Sequence, residues 1–136
     1  MIAYQPIDRE SLSGVVALLT AEGWASYTKD PEVTWKALTA PGVTTIVAKD
    51  VARIVGFAQM MGDGQIAAFL SLLIVDAEYR RQGIGRELIR EAFTRTGGQR
   101  VDLLTDTAHD FYRSFPHHEI PGYRIYPQGP PKGGPA

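Results

Sequence analysis

The sequence predicts an α/β domain, of the α+β kind, built on a mixed, mostly antiparallel sheet flanked by helices. Three observations carry that prediction. Residues 66–75 are apolar at every position except Ser71, as in a strand covered on both faces. Two β-branched or apolar stretches, 43–48 and 53–61, lie on either side of a short polar turn around Lys49-Asp50, as in an antiparallel hairpin. After the apolar run, Ile84, Leu88, Ile89, Ala92 and Phe93 recur at helical spacing, while Arg86, Glu87, Arg90, Glu91 and Arg95 take the opposite face.

In chain order, residues 2–4 read as a short strand. Asp8 is placed to cap a helix whose stripe is Leu12, Val15, Val16 and Leu19, and Gly23 ends it. Asp30-Pro31-Glu32 opens a shorter helix with proline in its first turn, stopped by Pro41-Gly42. The hairpin follows, and Gly62-Asp63-Gly64 turns the chain into the apolar strand. Gly97-Gly98 ends the amphipathic helix, residues 101–104 make another strand, 107–114 a short helix and 123–126 a last strand. Residues 127–136 hold four prolines and three glycines, so a flexible tail is expected after one domain over 1–126. At 136 residues and 44% hydrophobic content, a single core is affordable and a second domain is not.

Net charge is −1, so no global basic field recruits nucleic acid or an anionic membrane. The ten-residue apolar run falls short of the roughly 20 residues that span a bilayer, and the N-terminus has no signal-peptide pattern. A soluble, cytoplasmic protein is expected. With no cysteine, disulfides, thiolate metal sites and a cysteinyl acyl intermediate are excluded together.

The most informative stretch is Arg80-Arg81-Gln82-Gly83-Ile84-Gly85, which joins the apolar strand to the amphipathic helix. A helix that begins inside a glycine turn presents unpartnered N–H groups at the positive end of its dipole, a place where an anion is stabilised. A glycine in a helix costs up to about 1 kcal/mol relative to alanine, and close approach of a ligand to bare backbone compensates for it. Arg80, Arg81 and Arg86 add positive charge there. The sequence thus predicts a phosphate cradle.

Two motifs extend this reading. Arg80-x-x-Gly83-x-Gly85, preceded by Leu73-Ile74-Val75 and the loop 76–79, resembles the Gln/Arg-x-x-Gly-x-Gly/Ala signature of the GNAT superfamily of acyl-CoA-dependent N-acetyltransferases. Ala108-x-x-Phe111-Tyr112 resembles that family's Ala-x-x-Phe-Tyr segment on the helix after the fifth strand. The resemblance covers residues 1–126. It implies a sheet whose fourth and fifth strands splay apart, with the pantetheine arm of coenzyme A pairing along the main chain of Leu73, Ile74 and Val75. It implies that the amides of Arg81, Gln82, Gly83, Ile84, Gly85 and Arg86, with Arg80 alongside, bind the pyrophosphate, and that Tyr112 stands near the thioester sulfur as general acid. Acetyl-CoA is then the co-substrate, a primary amine the acceptor, and direct attack in a ternary complex the route. Many relatives are dimers, which leaves a homodimer open.

The chain also departs from the family pattern. Thr105 stands where many relatives have asparagine, Arg100 where some have a glutamate base, and Phe115-Pro116-His117-His118-Glu119 where Gly-Phe often follows. The base is therefore open among Asp63, His117, His118, Glu119 and ordered water. Trp24, Tyr27 and Trp35 cluster at the break between the first two helices; they either grip the acceptor, with Trp24 and Tyr27 as binding residues, or pack the core. Phe57, Met60, Met61, Phe69 and Leu70 could shape an acyl pocket or fill the core. Adjacent histidines without spaced partners give no reason to expect a metal. The alternative to an enzyme is a non-catalytic acyl-CoA sensor, since the cradle is clear and the base is not.

Overall fold

The computed structural model describes residues 1–130. Its elements are β1 (Ile2–Pro6), α1 (Leu12–Ala21), α2 (Pro31–Leu38), β2 (Val43–Asp50), β3 (Arg53–Gly62), β4 (Ala67–Val75), α3 (Ile84–Thr96), β5 (Arg100–Leu103) and α4 (His109–Arg113). The strands form one sheet in the order β1-β2-β3-β4-β5. All neighbours are antiparallel except β4 and β5, which run parallel through Ala67↔Arg100 to Leu70↔Leu103. Parallel strands require a crossover, and α3 supplies it.

Capping follows the carboxylates. Asp8 accepts from the Ser11 N–H at 2.9 Å, and a 3-10 turn at Arg9–Ser11 precedes α1. Asp30 accepts from the Glu32 N–H at 3.0 Å, with Pro31 in the first turn of α2. The α1 stripe differs from expectation in one member. Leu18 is buried with Leu12, Val15 and Leu19, while Val16 is only half-buried. Leu18 and Leu19 together face a wide sheet surface, so the buried arc is centred one residue later than the sequence suggests.

Helices cover both faces of the sheet. On one side Val15, Leu19 and Leu38 from α1 and α2 close over Val47, Phe57, Leu72 and Ile74. On the other, Ile84, Leu88 and Ala92 of α3 close over Ile46, Ala58, Met60 and Leu70. β4 alternates strictly between buried and half-buried positions, as a covered central strand should.

One irregularity in β4 governs the rest. Gln59 pairs with Leu72 but Met60 pairs with Leu70, so Ser71 is an extra residue, a β-bulge. Its hydroxyl donates to Gln59 Oε1 at 2.6 Å, and Gln59 Nε2 donates to the Ala37 carbonyl at 3.0 Å. The bulge shifts side-chain parity: Leu70 belongs to the α3-side core, whereas Leu72 and Ile74 belong to the opposite one. Pairing with β5 stops at Leu70, immediately before the bulge, and residues 71–75 have no β5 partner. The fourth and fifth strands therefore part at this point.

The expected last strand at 123–126 is not formed. Tyr123 is 86% exposed and Ile125 75% exposed, and no neighbour in the sheet receives them. α4 is also shorter than the expected 107–114, because Thr105 Oγ1 accepts the Ala108 N–H at 3.0 Å and fixes a turn before the helix. Of the tail expected at 127–136, residues 131–136 lie outside the described part.

Candidate active site

The loop between β4 and α3 carries the candidate cradle. A 3-10 turn at Ala77–Tyr79, capped by Asp76, leads into it. Arg81 has φ 65° and Gly83 φ 80°, so the chain passes twice through the left-handed region before α3 begins. For arginine this is a strained conformation, of a kind that gathers at functional sites. A Cβ on Gly83 would meet nothing within 4 Å, so the glycine answers to backbone angle and leaves open space above it. Glu87 is the first residue whose N–H is taken up by the turn, by the Gly83 carbonyl at 3.1 Å. The N–H groups of residues 81–86 have no acceptor among the described residues.

Gly85 plays a different part from the one its motif suggests. A Cβ there would lie 3.3 Å from Phe111 Cζ, so the absent side chain lets α4 seat against the first turn of α3. Ile84 is 3% exposed, and its side chain belongs to the core, leaving only its N–H toward the loop.

The arginines are mostly engaged. Arg80 Nε donates to the Val75 carbonyl at 3.2 Å, and its Nη2 reaches Glu22 Oε1 at 3.1 Å, tying the end of β4 to the end of α1. Arg86 donates to Ser114 Oγ at 2.6 Å and stacks over Phe115 at 4.0 Å, strapping α3 to the end of α4. Arg81 and Gln82 are exposed and their side chains make no hydrogen bond or ion pair among the described residues, so Arg81 is the uncommitted positive charge at the cradle.

Leu73, Ile74 and Val75 lie on the stretch of β4 that β5 leaves unpaired. Tyr112 packs its ring against the α3-side core, and burial pushes its pKa up to about 12. Its ring meets Phe111 edge-on with centroids 4.9 Å apart. Its hydroxyl makes no hydrogen bond among the described residues, and it lines a cleft of about 880 Å³ with Gly83 and Arg86. The rest of that cleft is walled by Phe69 and Leu70 of β4, by α3 and β5 and by the chain after α4; Leu73, Ile74 and Val75 do not line it.

Other sequence candidates are placed elsewhere. Tyr27 is half-buried against the α1-side core, and its carbonyl accepts from the Thr34 hydroxyl. Trp24 is 36% exposed, and neither it nor Tyr27 lines the cleft. Trp35 lies under the Arg9 guanidinium at 4.5 Å. Asp63 accepts from the amides of Gln65 at 2.8 Å and Ile66 at 2.7 Å, bonds that hold its carboxyl below the usual range and make it a turn former. Glu119 is held below its usual range by Arg113, 2.6 Å away. His117 has Nδ1 2.7 Å from the Phe115 carbonyl and lines the cleft with His118. Among the described residues no three His, Cys, Asp or Glu side chains could hold a metal ion, and no helix is long and apolar enough to cross a membrane.

Residues 41–115 match the family model of the acetyltransferase (GNAT) domain. The chain belongs to the GNAT acetyltransferases. It is thus an acyltransferase, of a family that uses acetyl-CoA. A GNAT-family acetyltransferase from Streptococcus pneumoniae TIGR4 superposes with TM-score 0.76 at 28% identity, over 95% of this chain and 100% of that one. An aminoglycoside acetyltransferase from an uncultured soil metagenomic sample, solved with sisomicin, gives TM-score 0.71 at 25% identity over 92% of this chain and 94% of that one. An aminoglycoside N-acetyltransferase in complex with CoA, 16% identical, shares the fold with TM-score 0.70 over 92% of this chain and 95% of that one. No curated protein matches the chain. The GNAT fold explains why the β4 bulge, the glycine turn and α4 stand together: each borders the gap between the fourth and fifth strands.

Proposed function

We propose that this GNAT domain transfers an acetyl group from acetyl-CoA to a primary amine, on a small molecule or a protein, by direct attack with both reactants held in one cleft. The observation that carries the proposal is the run of unused N–H groups at residues 81–86, set at the end of a strand whose edge is open from Ser71 to Val75. A pyrophosphate satisfies the first, and an extended amide chain satisfies the second as an added strand does. Bound acetyl-CoA supplies an activated acyl thioester. Open space above Gly83 lets phosphate oxygens approach main chain, Arg81 adds charge, and Leu73, Ile74 and Val75 present donors and acceptors to the pantetheine arm.

The remaining work is positioning and proton handling. An alkylamine of pKa about 10.4 is only roughly 0.1% neutral at physiological pH, so the acceptor must lose a proton before or during attack. Asp63 and Glu119 are committed to other partners, which leaves the cleft-lining His117 and His118, or water, as the acceptor of that proton. Tyr112 is a neutral phenol at physiological pH, with burial pushing its pKa further up, and so keeps a proton to donate toward the departing sulfur. With its pKa raised to about 12, Tyr112 is a weaker acid than a free thiol of about 8.5 by roughly 3.5 units, so hydrogen bonding to that sulfur, rather than full transfer, is its role. Free backbone N–H groups of β4 beyond the bulge are the donors available to charge developing on the acyl oxygen.

The test is release of free thiol from acetyl-CoA across a panel of amines that includes polyamines such as sisomicin, the ligand of the soil relative. Amine-dependent release supports the transferase reading. Release at background across the panel, with binding of acetyl-CoA retained, supports the sensor instead.

A further inference from the structure

Among the described residues only two that are not glycine have positive φ: Arg81, at 65°, in the cradle, and Val51, at 57°, in the turn between β2 and β3. For a β-branched residue this region is an outlier, and for any residue with a Cβ it is costly. Packing of the side chain compels neither angle, because Val51 is 90% exposed and Arg81 is exposed as well. Such backbone persists where the surrounding chain over-determines it. Here the residues next to one strained position are bonded to those next to the other.

The turn at Val51 sets Asp50 and Arg53 opposite one another as the last pair of the hairpin, and both reach across to the loop that leads into the cradle. Tyr79 donates its phenol O–H to Asp50 Oδ2 at 2.7 Å, and the Arg53 guanidinium lies over the Tyr79 ring at 5.2 Å. Arg53 also pairs with Asp76 at 3.0 Å and with Glu78 at 3.3 Å. These ties are unequal. Arg53 is half-exposed, as is the Arg80 that reaches Glu22, and ion pairs in such positions contribute little. The Tyr79 ring is half-buried against the α3-side core, so its hydroxyl is aimed with little freedom, and its bond to a carboxylate is short and charge-assisted.

We propose, on the pyrophosphate reading above, that Tyr79 and Asp50 are positioning residues for the phosphate end of acetyl-CoA. Their bond fixes the chain two residues before Arg81, holds that residue in the left-handed region and so keeps the free amides of 81–86 in the arrangement that receives the phosphates. The far end of the loop is fixed separately, by Ile84 in the core. Without the bond to Asp50, Arg81 relaxes to an ordinary backbone angle and the first amides of the loop turn away. Apparent affinity then falls by the fraction of molecules whose loop stays competent. The edge offered to the pantetheine arm does not depend on this tie, because β4 is held by β3 as far as Val75, opposite Gly56.

Tyr79→Phe keeps the ring and removes the donor, and Asp50→Ala removes the acceptor. Calorimetric titration with acetyl-CoA and with acetyl-pantetheine compares both variants with wild type. Each is expected to bind acetyl-CoA about tenfold more weakly, as for a loop competent in about one molecule in ten, with affinity for acetyl-pantetheine unchanged. The double variant should lose no more than either single one, since both substitutions remove the same bond. A preference for acetyl-CoA that is present in wild type and equal in the variants overturns the proposal, as do additive losses in the double variant or an equal loss with both ligands. A wild type that binds the two ligands equally removes the pyrophosphate reading itself, and the proposal with it.

Discussion

At the scale of single residues, Tyr112 is where environment and proposed chemistry meet. Burial raises its pKa to about 12, so it holds its proton throughout the range in which amines become nucleophilic. Tyr112→Phe keeps the ring in place and removes the donor. Turnover is expected to fall at least about tenfold with acetyl-CoA affinity nearly unchanged, as for an interaction used mainly in the transition state; wild-type turnover would remove the assignment. The sign of the alkaline effect follows. The folded state holds this proton more tightly than the unfolded one, so the stability tied to it is complete below pH about 10 and lost as pH rises toward about 12. Urea midpoints at alkaline pH should therefore fall more steeply for wild type than for Tyr112→Phe, and parallel curves would contradict the burial. Gly83 separates backbone angle from packing, because φ is 80° and nothing lies within 4 Å of a Cβ. Gly83→Ala should cost about 1 kcal/mol in denaturant unfolding at unchanged slope, the left-handed penalty of an L-residue alone. An unchanged midpoint would mean that the loop relaxes. The motif marked Gly83, Gly85 and Tyr112, but not that Gly85 is filled by Phe111 or that Arg80 and Arg86 spend their guanidinium groups on Val75, Glu22, Ser114 and Phe115. Those are contacts between segments far apart in the chain, and no local pattern encodes them.

At the scale of elements, the decisive pair is β4 and α3. Apolar continuity and helical spacing made both legible, because burial on two faces and on one stripe leaves its mark at every residue. The hairpin was legible for the same reason, and its strands run only one or two residues past the expected ends. The bulge had a visible signal in Ser71, the single polar residue of the run, although its consequence for parity appears only with Gln59 across from it. A strand at 123–126 was expected from composition, which records what a segment can pair with but not whether an edge is within reach; β5 and this segment stay apart within the chain. Asp63 was a candidate base in sequence because it is an acid on a loop, and in the fold it holds the entrance to β4 through three successive amides. Arg86 joins α3 to α4, so Arg86→Ala should loosen α4 without unfolding the sheet. Faster amide exchange confined to residues 109–115 is the expected result, and protection equal to wild type would show that Phe111 on Gly85 suffices.

At the scale of the molecule, helices on both faces make the sheet a rigid support, and its strand pairing is interrupted where β4 outruns β5. Chemistry in this account is confined to that interruption. Ligand binding elsewhere would need a second opening in the core, and the groove between α1 and the β2–β3 turn is smaller, at about 420 Å³, with the Arg53–Asp76 ion pair in its wall. The central claim is that unpaired amides at the start of α3 hold a pyrophosphate while the open edge of β4 holds the arm attached to it. Calorimetric titration of the wild-type protein with acetyl-CoA and with acetyl-pantetheine, identical in the arm and acyl group but lacking the phosphates, tests it directly. Charge-assisted hydrogen bonds contribute about 1.5–3 kcal/mol each, so acetyl-CoA should bind more than about tenfold tighter than acetyl-pantetheine. Equal affinities, or no heat with acetyl-CoA, would contradict the account.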